Sequence, residues 1–205
     1  MKNSKDFGGK MIKSSLDQFL KLPKNTLSGK TICFITDTVW GVGVMVDSNV
    51  EVGINKIYKL KQRDENKPIA VLVSNVDDAL KHVEITSKDI YNLVKLWPGA
   101  LTLIFKKSDD FYDGVTKFDT IGIRVPDSNV SKKLLDFLGP VATTSVNISG
   151  SESLNSIEDI EKNFEDKIDY LITDTNPLSK VSSTVVDVTS DTIKVLRLGS
   201  IKINV

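Results

Sequence analysis

The amino-acid sequence predicts a single α/β domain, in which helices flank a twisted sheet of mixed parallel and antiparallel strands. Two observations favour this fold class. Helix-like and strand-like apolar patterns alternate along all 205 residues, without a Pro/Ser-rich linker, an internal repeat or a low-complexity tract between them. Several predicted strands also follow one another through short turns, so some of them must pair antiparallel. We therefore expect one domain over residues 1–205.

The elements nearest the N-terminus are predicted to be a helix and two strands. Apolar residues recur at helical spacing over Met11–Leu22, and Pro23 breaks that pattern. Thr31–Ile35 and Val39–Val46 are short, β-branched apolar runs of the kind that form buried strands. The expected opening of the domain is thus a helix, a loop and a pair of strands.

A basic helix is expected next, and further helices and strands follow it. Ile54, Ile57 and Tyr58 give that helix an apolar stripe, and Pro68 ends it before a strand at Ile69–Val73. The later apolar patterns predict helices at Val76–His82, Ser87–Leu96, Val130–Leu138 and Ile157–Phe164, and strands at Leu101–Phe105, Ile121–Val125, Val141–Val146, Tyr170–Thr173, Ser183–Val188 and Ile193–Leu198.

The composition excludes several classes of protein. The 27 basic residues are balanced by 27 acidic ones, so the chain lacks the overall positive charge of a non-specific nucleic-acid or membrane binder. Cys33 is the only cysteine, which excludes a disulfide within the chain and a cysteine-based zinc cluster. Met1–Lys30 has no signal-peptide core, and the longest apolar stretch, Val39–Val46, is far shorter than the roughly 20 residues of a membrane-spanning helix. We expect a cytoplasmic protein that does not use a membrane.

The Gly-Lys-Thr triplet at residues 29–31 is similar to the end of a phosphate-binding P-loop, but its surroundings do not fit. Lys24 stands where the P-loop needs its first glycine, and an apolar strand follows where the P-loop needs a helix. The triplet is better explained as a turn before a strand.

Residues 56–67 form a concentrated group of cations. Two acidic residues oppose five basic ones there, which are Lys56, Lys59, Lys61, Arg63 and Lys67. Lys59 and Arg63 would share one face of a helix, whereas Lys59, Lys61 and Arg63 would share one face of an extended segment. Either arrangement could neutralise a triphosphate, which an arginine could bind through a two-pronged fork of hydrogen bonds. Charge alone favours the plainer alternative, a solvated helix face.

Small polar residues cluster at the ends of predicted strands, where ligands usually bind in open α/β sheets. They are Thr36–Thr38, Thr143–Ser145 with Asn147, and Ser182–Thr184. Their hydroxyls and amides could bind a polar ligand, although each cluster alone would equally suit a cap or a turn.

Two arginines, Arg124 and Arg197, lie in or beside apolar strand patterns. A buried arginine needs an anionic partner, because an unpaired buried charge costs several kcal/mol. An internal carboxylate is the ordinary partner, and a ligand carboxylate or phosphate would serve equally well.

Seven motifs, taken in order over about residues 12–201, resemble those of the YrdC/TsaC family of threonylcarbamoyl-adenylate synthases. They are Ile35–Gly43, Tyr58–Arg63 with Lys67–Pro68, Trp97–Thr102, Phe118–Pro126, Thr144–Gly150, Ser183–Asp187 and Leu196–Gly199. The resemblance implies a single YrdC-like domain of the short form. The chain departs from the usual family residues at Ile35, Trp40, Ala100 and Val146, which are apolar changes that could reshape the pocket but remove no charged group.

By this resemblance the chain would join L-threonine, bicarbonate or CO2, and ATP into threonylcarbamoyl-AMP and pyrophosphate, for the t6A base of transfer RNA. Mg²⁺ would be bound through the phosphates rather than by a metal site of the protein. The downstream partner would be a tRNA-modifying threonylcarbamoyl-transferase complex, and weak binding of transfer RNA would be compatible with that role.

The resemblance also assigns residue roles. Catalysis would use Lys61, Arg63 and Lys67. Threonine or its carbamate would contact Thr36, Lys67, Arg124, Ser145 and Ser183. ATP would contact Lys59, Lys61, Arg63, Thr120, Asn147, Asn155 and Arg197.

Two alternatives remain from the sequence. The same cations could form a non-catalytic RNA-binding module, although neither the charge balance nor the 7% aromatic content is typical of an RNA groove. A family member with these wall changes could also act on a different amine.

Overall fold

The structure is a computed structural model, and it describes residues 9–81, 83, 85, 87–108 and 114–203. Within these ranges the chain forms ten strands and six α-helices. The strands are β1 (Ile12–Ser14), β2 (Thr31–Ile35), β3 (Trp40–Met45), β4 (Ala70–Leu72), β5 (Leu101–Lys106), β6 (Thr120–Arg124), β7 (Val141–Ser145), β8 (Tyr170–Ile172), β9 (Thr184–Asp187) and β10 (Lys194–Arg197). The helices are α1 (Leu16–Phe19), α2 (Val50–Lys61), α3 (Val76–Leu80), α4 (Lys88–Val94), α5 (Asn129–Leu138) and α6 (Ile157–Phe164).

All ten strands join one sheet, in the order β1-β8-β2-β3-β7-β4-β6-β5-β9-β10. Strand β8 pairs parallel with β1 and β2, and the pairs β4/β6 and β5/β9 are also parallel. The other neighbours pair antiparallel. The predicted α/β class with a mixed sheet is therefore confirmed.

Residues Met11–Leu22 do not form the single helix that their apolar spacing predicts. Ile12–Ser14 is instead an edge strand, because it pairs in parallel register with Tyr170–Ile172. Ser15 then caps the N-terminus of α1 through a reciprocal capping box with Gln18. The helix that follows is four residues long. Pairing with a distant strand thus replaced the first helical turns.

Other boundaries shift by a few residues. The helix expected over Val76–His82 ends at Leu80, and His82 lies outside the described residues. The Gly-Lys-Thr triplet leads into β2, as expected, with Gly29 in a turn at a φ of +66° and Thr31 as the first residue of the strand. Every helix among the described residues is too short or too polar to span a membrane.

The two faces of the sheet differ in chemistry, because side chains alternate along each strand. One face carries fully buried apolar residues, which include Val42, Val71, Leu103, Ile123 and Val186. Helix α2 packs on this face at β3, where Gly53 lies so close to Val44 that a β-carbon would overlap the valine side chain. In the middle of the sheet, the opposite face lines a cavity.

Candidate active site

A cavity of about 260 Å³ lies over six neighbouring strands of the sheet. Most of its floor consists of alternate residues of each strand, as the period-two geometry of a strand predicts. These are Gly41 of β3, Thr143 and Ser145 of β7, Ala70 and Leu72 of β4, Thr120, Gly122 and Arg124 of β6, Thr102 and Ile104 of β5, and Val185 of β9. Thr144, near the end of β7, departs from this alternation and also lines the cavity. One face of the sheet thus presents small, hydroxyl-bearing and apolar side chains to a ligand.

Glycine keeps part of this floor open. A β-carbon on Gly41 would lie 2.9 Å from Thr143 Cγ2, so a larger residue would displace the threonine. Gly122 lies in β6 between Thr120 and Arg124, which both line the cavity. These positions leave room for a ligand close to the backbone.

Three arginines line the cavity, namely Arg63, Arg124 and Arg197. Burial lowers the pKa of all three guanidinium groups. Their mutual repulsion adds to this effect, because Arg63 lowers the pKa of Arg197 and Arg197 lowers the pKa of Arg124. The cavity is therefore a site of positive potential that suits anions.

Arg124 has an internal acidic partner. Its Nη2 donates to Asp37 Oδ1 at 2.6 Å, its Nη1 to Thr38 Oγ1 at 2.8 Å and its Nε to the Gly99 carbonyl at 3.0 Å. The side chain is almost fully buried, with 7% of it exposed. Of the two partners considered from sequence, the carboxylate is present, and Arg124 also lines the cavity.

The other two arginines bond to backbone carbonyls. Arg63 Nη2 donates to the Pro68 carbonyl at 2.9 Å, and its Nε donates to the Lys67 carbonyl at 3.4 Å. Arg197 donates to the Ser183 carbonyl from Nε at 3.1 Å and from Nη2 at 2.9 Å. These contacts orient the two guanidiniums without neutralising their charge.

Lys61, the last residue of α2, lies behind the cavity wall and is 1% exposed. Its Nζ donates to the Ser145 carbonyl, to the Asn147 carbonyl at 3.1 Å and to Asn147 Oδ1 at 2.8 Å. The hydroxyl of Ser145 donates to the same Asn147 oxygen at 2.7 Å. Burial, and then repulsion by Arg63, lower the pKa of Lys61 to about 7. Lys61 thus orients Ser145, which lines the cavity.

The C-terminal end of α2 divides the basic segment of residues 56–67 into a helical part and a loop that follows it. Gln62 takes a left-handed conformation, with a φ of 49°, and ends the helix after Lys61. Arg63 follows this turn and lines the cavity, whereas Lys59 is exposed on the helix. The segment is therefore neither one helical face nor one extended strand, the two geometries considered from sequence.

Lys56 lies away from the cavity. Its Nζ donates to Asp169 Oδ2 at 3.3 Å and to the Gly29 carbonyl at 3.4 Å. Asp169 also accepts hydrogen bonds from the backbone and hydroxyl of Thr31, each at 2.9 Å. Lys56 is thus part of a structural cluster, and it does not add to the positive charge at the cavity.

The structure brings seven of the predicted site residues to the cavity lining. They are Thr36, Arg63, Thr120, Arg124, Ser145, Ser183 and Arg197. Asn147 and Lys61 are buried behind the wall. Lys67 is exposed, and its carbonyl accepts hydrogen bonds from Tyr58 and Arg63. Asn155 donates to the Ser153 carbonyl at 3.0 Å, and its Oδ1 is buried without a hydrogen-bond partner. Direct ligand contact stays a prediction for each of these residues.

Comparison with known proteins identifies the family. The model of the Sua5/YciO/YrdC family, described as "Telomere recombination", matches residues 24–199. This chain belongs to that family. The family predicted from the motifs is therefore confirmed.

Individual members of the Sua5/YciO/YrdC family match most of the chain. A Methanocaldococcus jannaschii protein named "Putative threonylcarbamoyl-AMP synthase" is 34% identical over 91% of this chain and 86% of its own length. A Pyrococcus abyssi protein named threonylcarbamoyl-AMP synthase is 30% identical over 84% of this chain, which spans 51% of that relative. The crystal structure of P. abyssi Sua5 complexed with L-threonine superposes with a TM-score of 0.79 and 27% identity, over 93% of this chain and 57% of that one.

The four departures from the usual Sua5/YciO/YrdC residues fall outside the cavity lining. Ile35, Trp40 and Val146 are at most 1% exposed and pack in the apolar core. Ala100 lies in the turn before β5, where its carbonyl accepts from Thr184 N at 2.9 Å. None of the four lines the cavity, so they are not themselves part of its wall, and an effect on its shape would have to act through the packing behind it. The alternation along β3 turns Trp40 toward the face opposite Gly41.

The motifs drew attention to polar residues and missed the apolar part of the site. Leu72, Ile104 and Val185 line the cavity together with Thr102, whose hydroxyl lies 2.9 Å from that of Ser183. Their signal in the sequence was position, because each lies two residues along the chain from another lining residue. Reading that signal requires knowing which face of each strand is the open one.

Proposed function

We propose that this protein is an L-threonylcarbamoyl-adenylate synthase, a nucleotidyltransferase that forms threonylcarbamoyl-AMP and pyrophosphate from L-threonine, bicarbonate or CO2, and ATP. The names of the relatives support the reaction, and the complex of P. abyssi Sua5 with L-threonine supports threonine as a substrate. The single observation that carries the proposal is the meeting of Arg63, Arg124 and Arg197 at one cavity lined by hydroxyl groups.

The chemistry needs such a site because its two reacting groups are both anions. The uncharged amine of threonine adds to CO2, loses a proton and becomes a carbamate. A carbamate oxygen then attacks the α-phosphorus of ATP, and the bond from that phosphorus to the bridging oxygen of pyrophosphate breaks. Most of the barrier lies in holding like charges together in line, which fixed cations and hydrogen-bond donors reduce.

The placement of the arginines suggests a division of labour. Arg63 and Arg197 repel each other electrostatically, and their carbonyl partners leave their charges available, so they suit the triphosphate. Arg124, balanced by Asp37, suits the single carboxylate of an amino acid. Ser145, Ser183 and Thr120 offer hydroxyls to the same cavity.

Mg²⁺ fits this scheme as a companion of the nucleotide. The described ranges contain no group of three or more His, Cys, Asp or Glu side chains placed to hold a metal ion. We propose that the ion is held by phosphate oxygens and water, and that it neutralises charge on the leaving pyrophosphate. The chain's own residues then bind and orient the two substrates.

The cellular setting follows from the proposed product. A mixed anhydride of a carbamate and AMP is an activated donor, so an enzyme that transfers the threonylcarbamoyl group to the amine of an adenosine in transfer RNA would consume it. We propose that the protein works in the cytoplasm and supplies a transferase complex of this kind. Weak binding of transfer RNA stays a prediction.

The reaction is tested by incubating the pure protein with ATP, Mg²⁺ and bicarbonate, together with each amino acid in turn. We expect pyrophosphate release that depends on L-threonine. Release without any amino-acid dependence, or none at all, would remove the proposal. An RNA-binding module would instead bind RNA without threonine, with an affinity that falls steeply as salt rises.

A further inference from the structure

Residues 176–180, between β8 and β9, form a strap over the turn that joins β2 to β3. Three successive carbonyls of that turn accept hydrogen bonds from the strap. Asn176 Nδ2 donates to the Thr36 carbonyl at 3.2 Å, and the backbone N–H groups of Ser179 and Lys180 donate to the Asp37 and Thr38 carbonyls, each at 2.9 Å. The strap therefore fixes the backbone of the turn residue by residue.

The same turn holds Arg124 with its side chains. Arg124 donates to Asp37 Oδ1 and Thr38 Oγ1. The hydroxyl of Thr36 donates its proton to the Val39 carbonyl at 2.7 Å. The hydroxyl of Thr38 lies 3.0 Å from that of Thr36 and must therefore be the donor of the bond between them. Every hydroxyl proton in this chain of bonds is committed, and the orientation of Arg124 depends on the shape of the turn.

Asn176 connects this turn to a helix. Its Oδ1 accepts from Ser128 Oγ at 2.7 Å, and that serine caps the N-terminus of α5 by accepting from Ser131 N at 3.2 Å. Farther along the strap, Lys180 has a φ of 59°, which is uncommon for a residue with a side chain. The strap is therefore shaped by its tertiary contacts, and Asn176 supplies two of them.

We infer that Asn176 is a positioning residue for the amino-acid side of the reaction. It fixes Arg124 through the β2–β3 turn, and it is not itself among the residues that line the cavity. The inference rests on the proposed function, since it assumes that Arg124 binds the carboxylate of threonine. Arg63 and Arg197 have other supports, so the nucleotide side should not depend on Asn176.

The test is the pair of Michaelis constants measured for Asn176→Ala. We expect the KM for L-threonine to rise roughly three- to tenfold, the equivalent of one lost hydrogen bond, with the KM for ATP nearly unchanged. Asn176→Asp still accepts from Ser128 but cannot donate to the Thr36 carbonyl, so we expect it to behave like Asn176→Ala. If the alanine variant does not fold, the aspartate variant alone decides.

Ser156→Ala is the matched control, because it removes the N-cap bond from Ser156 Oγ to Asp159 N of α6 without touching the strap. We expect neither KM to change in this control. An unchanged KM for threonine in the Asn176 variants, or an equal rise for both substrates, would overturn the inference. Direct calorimetry of L-threonine binding to the unsubstituted protein separates the two claims, because absence of binding there would sink the proposed function instead.

Discussion

The ammonium group of Lys61 lies 2.8 Å from Asn147 Oδ1 and joins the end of α2 to the residues that follow β7. Asn147 also accepts from the Ser145 hydroxyl, and its Nδ2 donates to the carbonyls of Ile148 and Ser151. The side-chain amide of Asn147 thus forms hydrogen bonds with the end of α2, with a hydroxyl at the cavity and with the loop after β7. The first prediction concerns this amide.

At pH 6, where Lys61 is protonated, replacing Asn147 with alanine should lower the free energy of unfolding by about 1.5 to 3 kcal/mol, the range for a hydrogen bond to a charged group. Lys61 and Ser145 would both lose their shared acceptor. Urea denaturation measures the change. Asn92→Ala is a matched control, because Asn92 Oδ1 accepts from the exposed Lys95 at 3.3 Å, and its loss should matter little. Equal effects in the two variants would contradict the role of Asn147.

The second prediction concerns the protonation of Lys61. Burial and the charge of Arg63 lower its pKa to about 7, so above this pH a growing fraction of the folded protein holds the neutral amine, which can donate two hydrogen bonds instead of three. Nearby phosphate charge favours the protonated form and raises the pKa, so binding of ATP near pH 8 should take up protons. Calorimetry of ATP binding in buffers with different heats of ionisation measures this uptake. Lys61→Met should abolish it, and a release of protons by the unsubstituted protein would contradict the prediction.

The third prediction concerns Arg63. Arg63→Ala should lower turnover by roughly a hundredfold or more, because it removes a fixed charge where negative charge gathers. The melting temperature should change little, since Arg63 donates its hydrogen bonds to carbonyls of its own loop. Lys133→Ala removes an exposed cation from α5 and should leave turnover unchanged. Full activity of Arg63→Ala would show that Arg63 is not part of the reaction.

The fourth prediction concerns the packing of α2 on β3. A β-carbon at Gly53 would overlap Val44, so Gly53→Ala should destabilise the protein by about 1 to 3 kcal/mol. In the double variant with Val44→Ala the loss should be smaller than the sum of the two single losses. Val52→Ala, at a position that is 53% exposed on the same helix, is the control. Additive losses in the double variant would show that the two residues do not pack as described.

Much of the fold follows from local patterns in the sequence. The β-branched runs predicted as strands at Thr31–Ile35 and Val141–Val146 contain the central strands β2 and β7, and the apolar stripe of Ile54 and Ile57 is the buried side of α2. The edge strand at Ile12–Ser14 could not be found in this way, since its strand conformation depends on Tyr170–Ile172, far away in the chain. Helical spacing was present there, and tertiary pairing overrode it.

The candidate site was likewise predictable from the sequence only in part. The polar motifs pointed to Arg63, Arg124 and Arg197, and the structure brings all three to one cavity. Sequence spacing could not show that Gln62 turns the chain between Lys61 and Arg63, because a left-handed glutamine has no local signature. Nor could it find Asn176, whose partners Thr36 and Ser128 are 140 and 48 residues away.

The central claim is that the cations of this cavity hold a threonine carbamate against the α-phosphate of ATP. Radiolabelled bicarbonate tests it most directly, through the label recovered in an adenylate product. We predict that label enters an AMP-linked product only when both L-threonine and ATP are present, and that Arg63→Ala prevents this. Threonine-dependent pyrophosphate release with no label in the adenylate would contradict the claim, because the protein would then activate the carboxylate of threonine rather than its carbamate.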